Sequence, residues 1–185
     1  VEFRDPGDAP VMVVGRASSL SEAIAAACRN RGIAVIRHRL DAATAPKLPH
    51  DATSLDSVVA IVDADCVGSL FDRLHASRRR LRQCGDAICE TAGTAARELG
   101  ARRVLVVCDV RGLSFGGGAR AERWLRDLAH RIGYEASING LTGVVTSYAV
   151  VESDRQVGPI AEAVADWHRG EMPGGTVHMG AAALR

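Results

Sequence analysis

Lysine, tyrosine and asparagine are nearly absent from this chain. Of its 23 basic residues only Lys47 is a lysine, and tyrosine (Tyr134, Tyr148) and asparagine (Asn30, Asn139) occur twice each. Chemistry that needs a phenol, an amine or a carboxamide therefore has very few candidate groups. No run approaches the ~18 apolar residues of a membrane span. The first residues, Val1 to Asp5, carry no signal-peptide stretch, so no membrane association and a cytoplasmic location are expected. A net charge of +1 supplies no field for nucleic acid. The five cysteines form no pair at zinc-ligand spacing and are expected to be buried free thiols of a reducing compartment. The six histidines are scattered, so no metal site is expected.

What is present is apolar patterning. With 47% hydrophobic residues in 185, the chain has enough core for one domain over 1–185. Val11–Val14 reads as a strand ending at Gly15. A helix follows, capped by Ser18 or Ser19 with Glu22 completing a capping box, and Ile33–Ile36 reads as a second strand. Residues 40–57 read as loop and Val58–Val62 as a third strand. The helical stretch 68–99 is expected to be broken by Arg78–Arg80 and Gly85. Val104–Val107 is a fourth strand and Gly116–Gly118 a flexible loop, followed by an amphipathic helix over Ala119–Ile132. Ala136–Leu141 then reads as strand, a helix opens at Pro159, and Thr176–Met179 is a last strand. This alternation predicts an α/β, Rossmann-like, doubly wound parallel sheet.

In this order the segments resemble the short-chain dehydrogenase/reductase family, close in outline to 3-oxoacyl-carrier-protein reductases. Gly15-Arg16-Ala17-Ser18-Ser19-Leu20-Ser21 followed by Glu22-Ala23-Ile24-Ala25 lies over the family's GxxxGxG and its Ala-Ile-Ala helix. Asn139 to Thr146 is similar to the N-x-h-x-P-G-h-h-x-T after its sixth strand, and the ending from Arg169-Gly170 to Gly174–Gly180 to its C-terminal glycine motif. The resemblance implies a truncated version of the family's fold. It also implies a vestigial cofactor site at Gly15, Ser18, Ser19, Ser21, Arg37, Asp63 and Thr146, which would take NADP if any dinucleotide.

The departures carry more information than the matches. Ser19 and Ser21 stand where the family has its second and third glycines, and a Cβ there crowds the approach of a pyrophosphate. Asp63 and Asp65 place carboxylates beside it. The family's Asn-Ser-Tyr-Lys set, in which the lysine lowers the pKa of a proton-exchanging tyrosine, cannot be assembled. Asp109 stands where its serine should be, and Ser114 lies roughly in the tyrosine's register. No catalytic residue, no metal and no bound cofactor are expected, and the chain is expected not to be an enzyme by itself.

By that resemblance the chain is a non-catalytic subunit that assembles with an active paralogue, or with itself, through a four-helix-bundle face. Leu81, Ile88, Ala92, Trp124, Leu125 and Leu128 would form that face. The partner would oxidise or reduce a β-hydroxy/β-keto acyl or aminoacyl thioester, sometimes in secondary metabolism. The arginine-rich, lysine-poor usage suits a GC-rich bacterial genome. Two other readings stand beside it. One is an NADP-dependent ketoreductase with an atypical site, and the other is the degenerate half of a larger tandem or polyketide-type ketoreductase.

Overall fold

The computed structural model describes residues 9–40, 54–71, 78–171 and 179–181. Lys47, His50, His75, Leu74 and most of the C-terminal glycine motif, with His178, lie outside them. The elements are β1 (Val11–Val14), α1 (Ser19–Asn30), β2 (Val35–His38), β3 (Ser57–Val62), α2 (Ala64–Phe71) and α3 (Arg78–Leu99). There follow β4 (Arg103–Asp109), α4 (Phe115–Ile138), β5 (Val145–Val151), α5 (Asp154–Arg169) and β6 (Met179–Ala181). The strands form one sheet in the order β2-β1-β3-β4-β5-β6. The first five are parallel, and β6 runs antiparallel to β5.

Both faces of the sheet are covered, which is why β1 and β3 read as unbroken apolar runs rather than alternating ones. Val11 and Val13 point into a core shared with α1 and α5, whereas Met12 and Val14 point into one shared with α2, α3 and α4. The connection from β1 leads outward to β2, and that from β3 leads the opposite way to β4. The strand order therefore reverses between the C-terminal ends of β1 and β3, the place where open α/β sheets hold ligands.

Several boundaries differ from the sequence reading, each for a local reason. The capping box of α1 uses Ser18 and Ser21: the Ser21 N–H donates to Ser18 Oγ and the Ser18 N–H to Ser21 Oγ. Glu22 is thereby left to pair with Arg37. Arg78–Arg80 open α3 instead of interrupting it. Gly85 lies inside that helix, and a Cβ there would stand 3.5 Å from the Leu128 side chain of α4. Gly116–Gly118 are helical because Ser114 caps α4, its Oγ accepting from the Gly117 N–H at 3.2 Å.

The largest correction concerns Ala136–Leu141, which is not a strand. The buried stripe of α4 continues from Leu125 and Leu128 through Ile132 to Ala136, at helical spacing, and Asn139 caps the helix. The strand comes later, as β5, so Asn139–Thr146 runs into the start of a strand instead of following one. Helix α5 starts at Asp154 rather than at Pro159, with Gln156 Oε1 accepting from the N–H groups of Glu152 and Ser153. Pro159 lies within it. The last strand is Met179–Ala181, and Thr176–Val177 lie outside the described residues.

At the opposite, N-terminal edge of the sheet, His168 of α5 is fully buried, its Nδ1 2.6 Å from Ser57 Oγ at the start of β3. Burial lowers its pKa from the ordinary 6.5, and Arg103 and Arg169 act in the same direction while Asp56 opposes them. The unfolded chain therefore takes up the proton first as pH falls. The stability contributed by neutral His168 is complete above the ordinary value and lost on acidification through the lowered folded value. Chemical denaturation at pH 7.5 and 5.5 is expected to show a loss in the wild type that is smaller in His168→Gln; equal losses in the two proteins would contradict this.

Candidate functional site

The candidate site is the C-terminal edge of the sheet around the β1/β3 reversal. A crevice of about 400 Å³ is lined there by Gly15, Arg16, Arg39, Asp63, Cys66 and Cys84, among others. A second, of about 470 Å³, adjoins it between the ends of β1 and β2 and includes Ser21 and Arg37.

Gly15 ends β1 at φ +145°, and a Cβ on it would lie 2.7 Å from the Ile61 carbonyl oxygen of β3. The close passage of two backbones thus requires this glycine, with or without a phosphate nearby. The groups that would receive a dinucleotide are engaged with one another. Ser18 and Ser21 form a reciprocal capping box, which occupies the Ser18 and Ser21 N–H groups at the N-terminus of α1. Arg37, the candidate for a 2′-phosphate, is bidentate to Glu22 at 2.6 and 2.8 Å, and holds that carboxyl below its ordinary pKa. Asp63 caps α2, its Oδ1 accepting from the Cys66 N–H at 2.9 Å, so it closes a turn. Asp65 is exposed in the first turn of α2. Thr146 is buried near the N-terminal end of β5, in register with Val104, at the edge of the sheet away from the crevice. It does not join the other six.

The position that resembles the family's catalytic serine holds Asp109, 1% exposed at the end of β4. Arg111 grips it with Nε to Oδ1 at 2.9 Å and Nη2 to Oδ2 at 2.6 Å, and its N–H also donates to Oδ1 at 3.2 Å. The same guanidinium pairs with Asp154 at the start of α5 and donates to Ser19 Oγ at 3.2 Å. One arginine thereby ties β4, α5 and α1 together over the sheet edge. Its pKa is raised, above all by the hydrogen bond to Asp109. Patterning of apolar residues could not reveal Arg111. The only signal was a carboxylate and a guanidinium two residues apart at a strand end. Ser114, in the tyrosine's register, is committed to capping α4.

The residues expected to face a partner lie mostly in the chain's own core. Ile88, Ala92, Leu125 and Leu128 are buried between α3, α4 and the sheet. Leu81 and Trp124 are half-buried against them, Trp124 with its ring centroid 5.8 Å from that of Phe71. The stripe reads alike for either use, because a helix covering a sheet and a helix covering a partner need the same period.

The cysteines divide into two sets. Cys28, Cys89 and Cys108 are buried, and burial pushes the first two thiols up to about 11. For Cys108 burial raises the pKa more than the neighbouring Asp109 does. Cys66 and Cys84 are half-buried, and both line the crevice at the β1/β3 reversal. Among the described residues no group of three or more His, Cys, Asp or Glu is placed to hold a metal, and no helix is long and apolar enough to cross a membrane. No family model and no curated protein matches the chain.

Proposed function

We propose that the chain is a non-catalytic, reductase-like subunit that assembles with an active paralogue and supports its activity on a β-hydroxy/β-keto acyl or aminoacyl thioester. The observation that carries this reading is the closure of the sheet's C-terminal edge. Asp109, Arg111, Asp154 and Ser19 occupy one another where a reductase keeps a proton-transfer set, and the cap of α1 is satisfied from within. A frame of this kind retains the outer layer of α3 and α4 without a reaction centre of its own. With most of the expected stripe in the core, the partner surface reduces to the outer rows of those two helices, with Leu81 and Trp124 at its margin.

The crevice at the β1/β3 reversal favours a second reading, an NADP-dependent ketoreductase with an atypical site. Co-purification from the native host, followed by assay of the recovered reductase with and without this chain, separates the two. The subunit reading expects a reductase paralogue whose turnover falls when the chain is removed. A paralogue that works equally well alone overturns it, and NADPH-dependent turnover by the isolated chain establishes the second reading.

A further inference from the structure

Helix α3 opens on Arg78, Arg79, Arg80 and Arg82, all exposed and none in an ion pair among the described residues. Elsewhere Arg31, Arg37, Arg111 and Arg131 each grip a carboxylate. The unpaired arginines stand where they cost stability. The start of a helix favours carboxylates over cations, and Arg78 and Arg82 are like charges one turn apart. Helices α1, α2 and α5 carry Glu22, Asp65 and Asp154 in their first turns, whereas α3 and α4 carry no acid there.

Helix α4 brings two more arginines beside them. Gly85 faces Trp124 and Leu128, Asp86 pairs with Arg131 at 2.7 Å, and further along Gly93 shares a cavity wall with Ala136. The two helices therefore lie side by side and run the same way. In that register the row Arg78–Arg82, which leads at helical spacing to Asp86, runs beside exposed Arg120 and Arg123 of α4. Asp86 and Asp127 end the basic stretch, and Glu122 lies toward the far side of α4. We propose that Arg78, Arg79 and Arg82 of α3, with Arg120 and Arg123 of α4, form the docking surface for an acidic helical segment of a protein partner. Arginines one turn apart match carboxylates one turn apart, and each guanidinium can hold a carboxylate by two hydrogen bonds. The charge of the remaining chain sets the size of the occupant. Outside these five arginines there are 18 basic residues against 22 acidic ones, so a long polyanion or a membrane plane meets net negative charge beyond the patch. A short acidic helix fits within it. This does not rest on the subunit reading, and the test uses no reductase.

The test measures binding of the full chain to an alanine-rich helical peptide with glutamate at every fourth position, by fluorescence anisotropy. The same peptide with glutamine, a single-stranded oligonucleotide of equal charge and phosphatidylserine vesicles serve as rival probes. The glutamate peptide is expected to bind, the glutamine peptide not, and affinity to fall about fivefold between about 50 and about 200 mM salt. Arg78→Glu with Arg82→Glu should lower affinity at least ~tenfold while raising the thermal midpoint by about 2 °C, because acids suit the helix start. That rise separates lost docking from lost folding. Arg97→Glu, exposed near the other end of α3, should leave binding unchanged. A glutamate peptide that does not bind, or binds equally well after the charge reversal, overturns the proposal. Tighter binding of the oligonucleotide or the vesicles overturns it as well.

Discussion

Arg111→Ala is expected to destabilise the domain by about 3 kcal/mol, as removal of one member of a buried ion pair does. The Asp109 side chain is 2% exposed and that of Arg111 20%, so losing the guanidinium strands a carboxylate that water cannot reach. Both arms of the bidentate pair go at once, and only the backbone N–H of residue 111 still donates to Asp109. The contact to Asp154, whose side chain is 92% exposed, contributes little of this. Combining Arg111→Ala with Asp109→Leu should recover much of the loss, because no charge is then left buried. Urea denaturation of the wild type, the single variant and the pair measures both effects. A loss below about 1 kcal/mol in Arg111→Ala, the level of a surface pair, would mean that the guanidinium does not hold the sheet edge.

Leu128→Glu is expected to abolish folding. Leu128 is 4% exposed within the core shared by α2, α3, α4 and the sheet, beside Ile88, Leu125 and Ile132. A carboxylate there must either remain ionised in an apolar medium or be protonated at a cost, and it also vacates a packed leucine site. The sum exceeds the ~4 kcal/mol that marks an exceptional substitution and rivals the stability of a small domain. Circular dichroism should show an unfolded or aggregated chain. If Leu128→Glu instead remains a folded monomer and loses only its partner, Leu128 faces that partner and the assignment of this stripe to the core is wrong. Trp124 is half-buried at the core margin, and its replacement by alanine should leave the domain folded.

These two sites show what the sequence could and could not reveal. The parallel α/β frame was legible because strands covered on both faces must be continuously apolar, as Val11–Val14 and Val58–Val62 are. The stripe Leu125, Leu128, Ile132 was equally visible, but its period is the same whether it packs on a sheet or on another subunit. Ala136–Leu141 reads as strand from the sequence, but Ala136 continues the buried stripe of α4 at helical spacing. At the site, the serines at 18, 19 and 21, Arg37 and Asp63 do gather at the β1 and β3 ends. Their engagement with Glu22, Arg111 and the helix caps depends on side-chain directions that spacing does not encode. Thr146 failed for a different reason. Its motif was attached to a strand that does not exist, and the real strand places it at the other edge of the sheet.

The central claim, that groups at the C-terminal edge of the sheet are engaged with one another, is tested most directly by isothermal titration of the full chain with NADPH. The account predicts no saturable heat up to ~1 mM, an affinity no better than about −4 kcal/mol. A one-to-one isotherm with Kd near ~1 μM, about −8 kcal/mol, would contradict it.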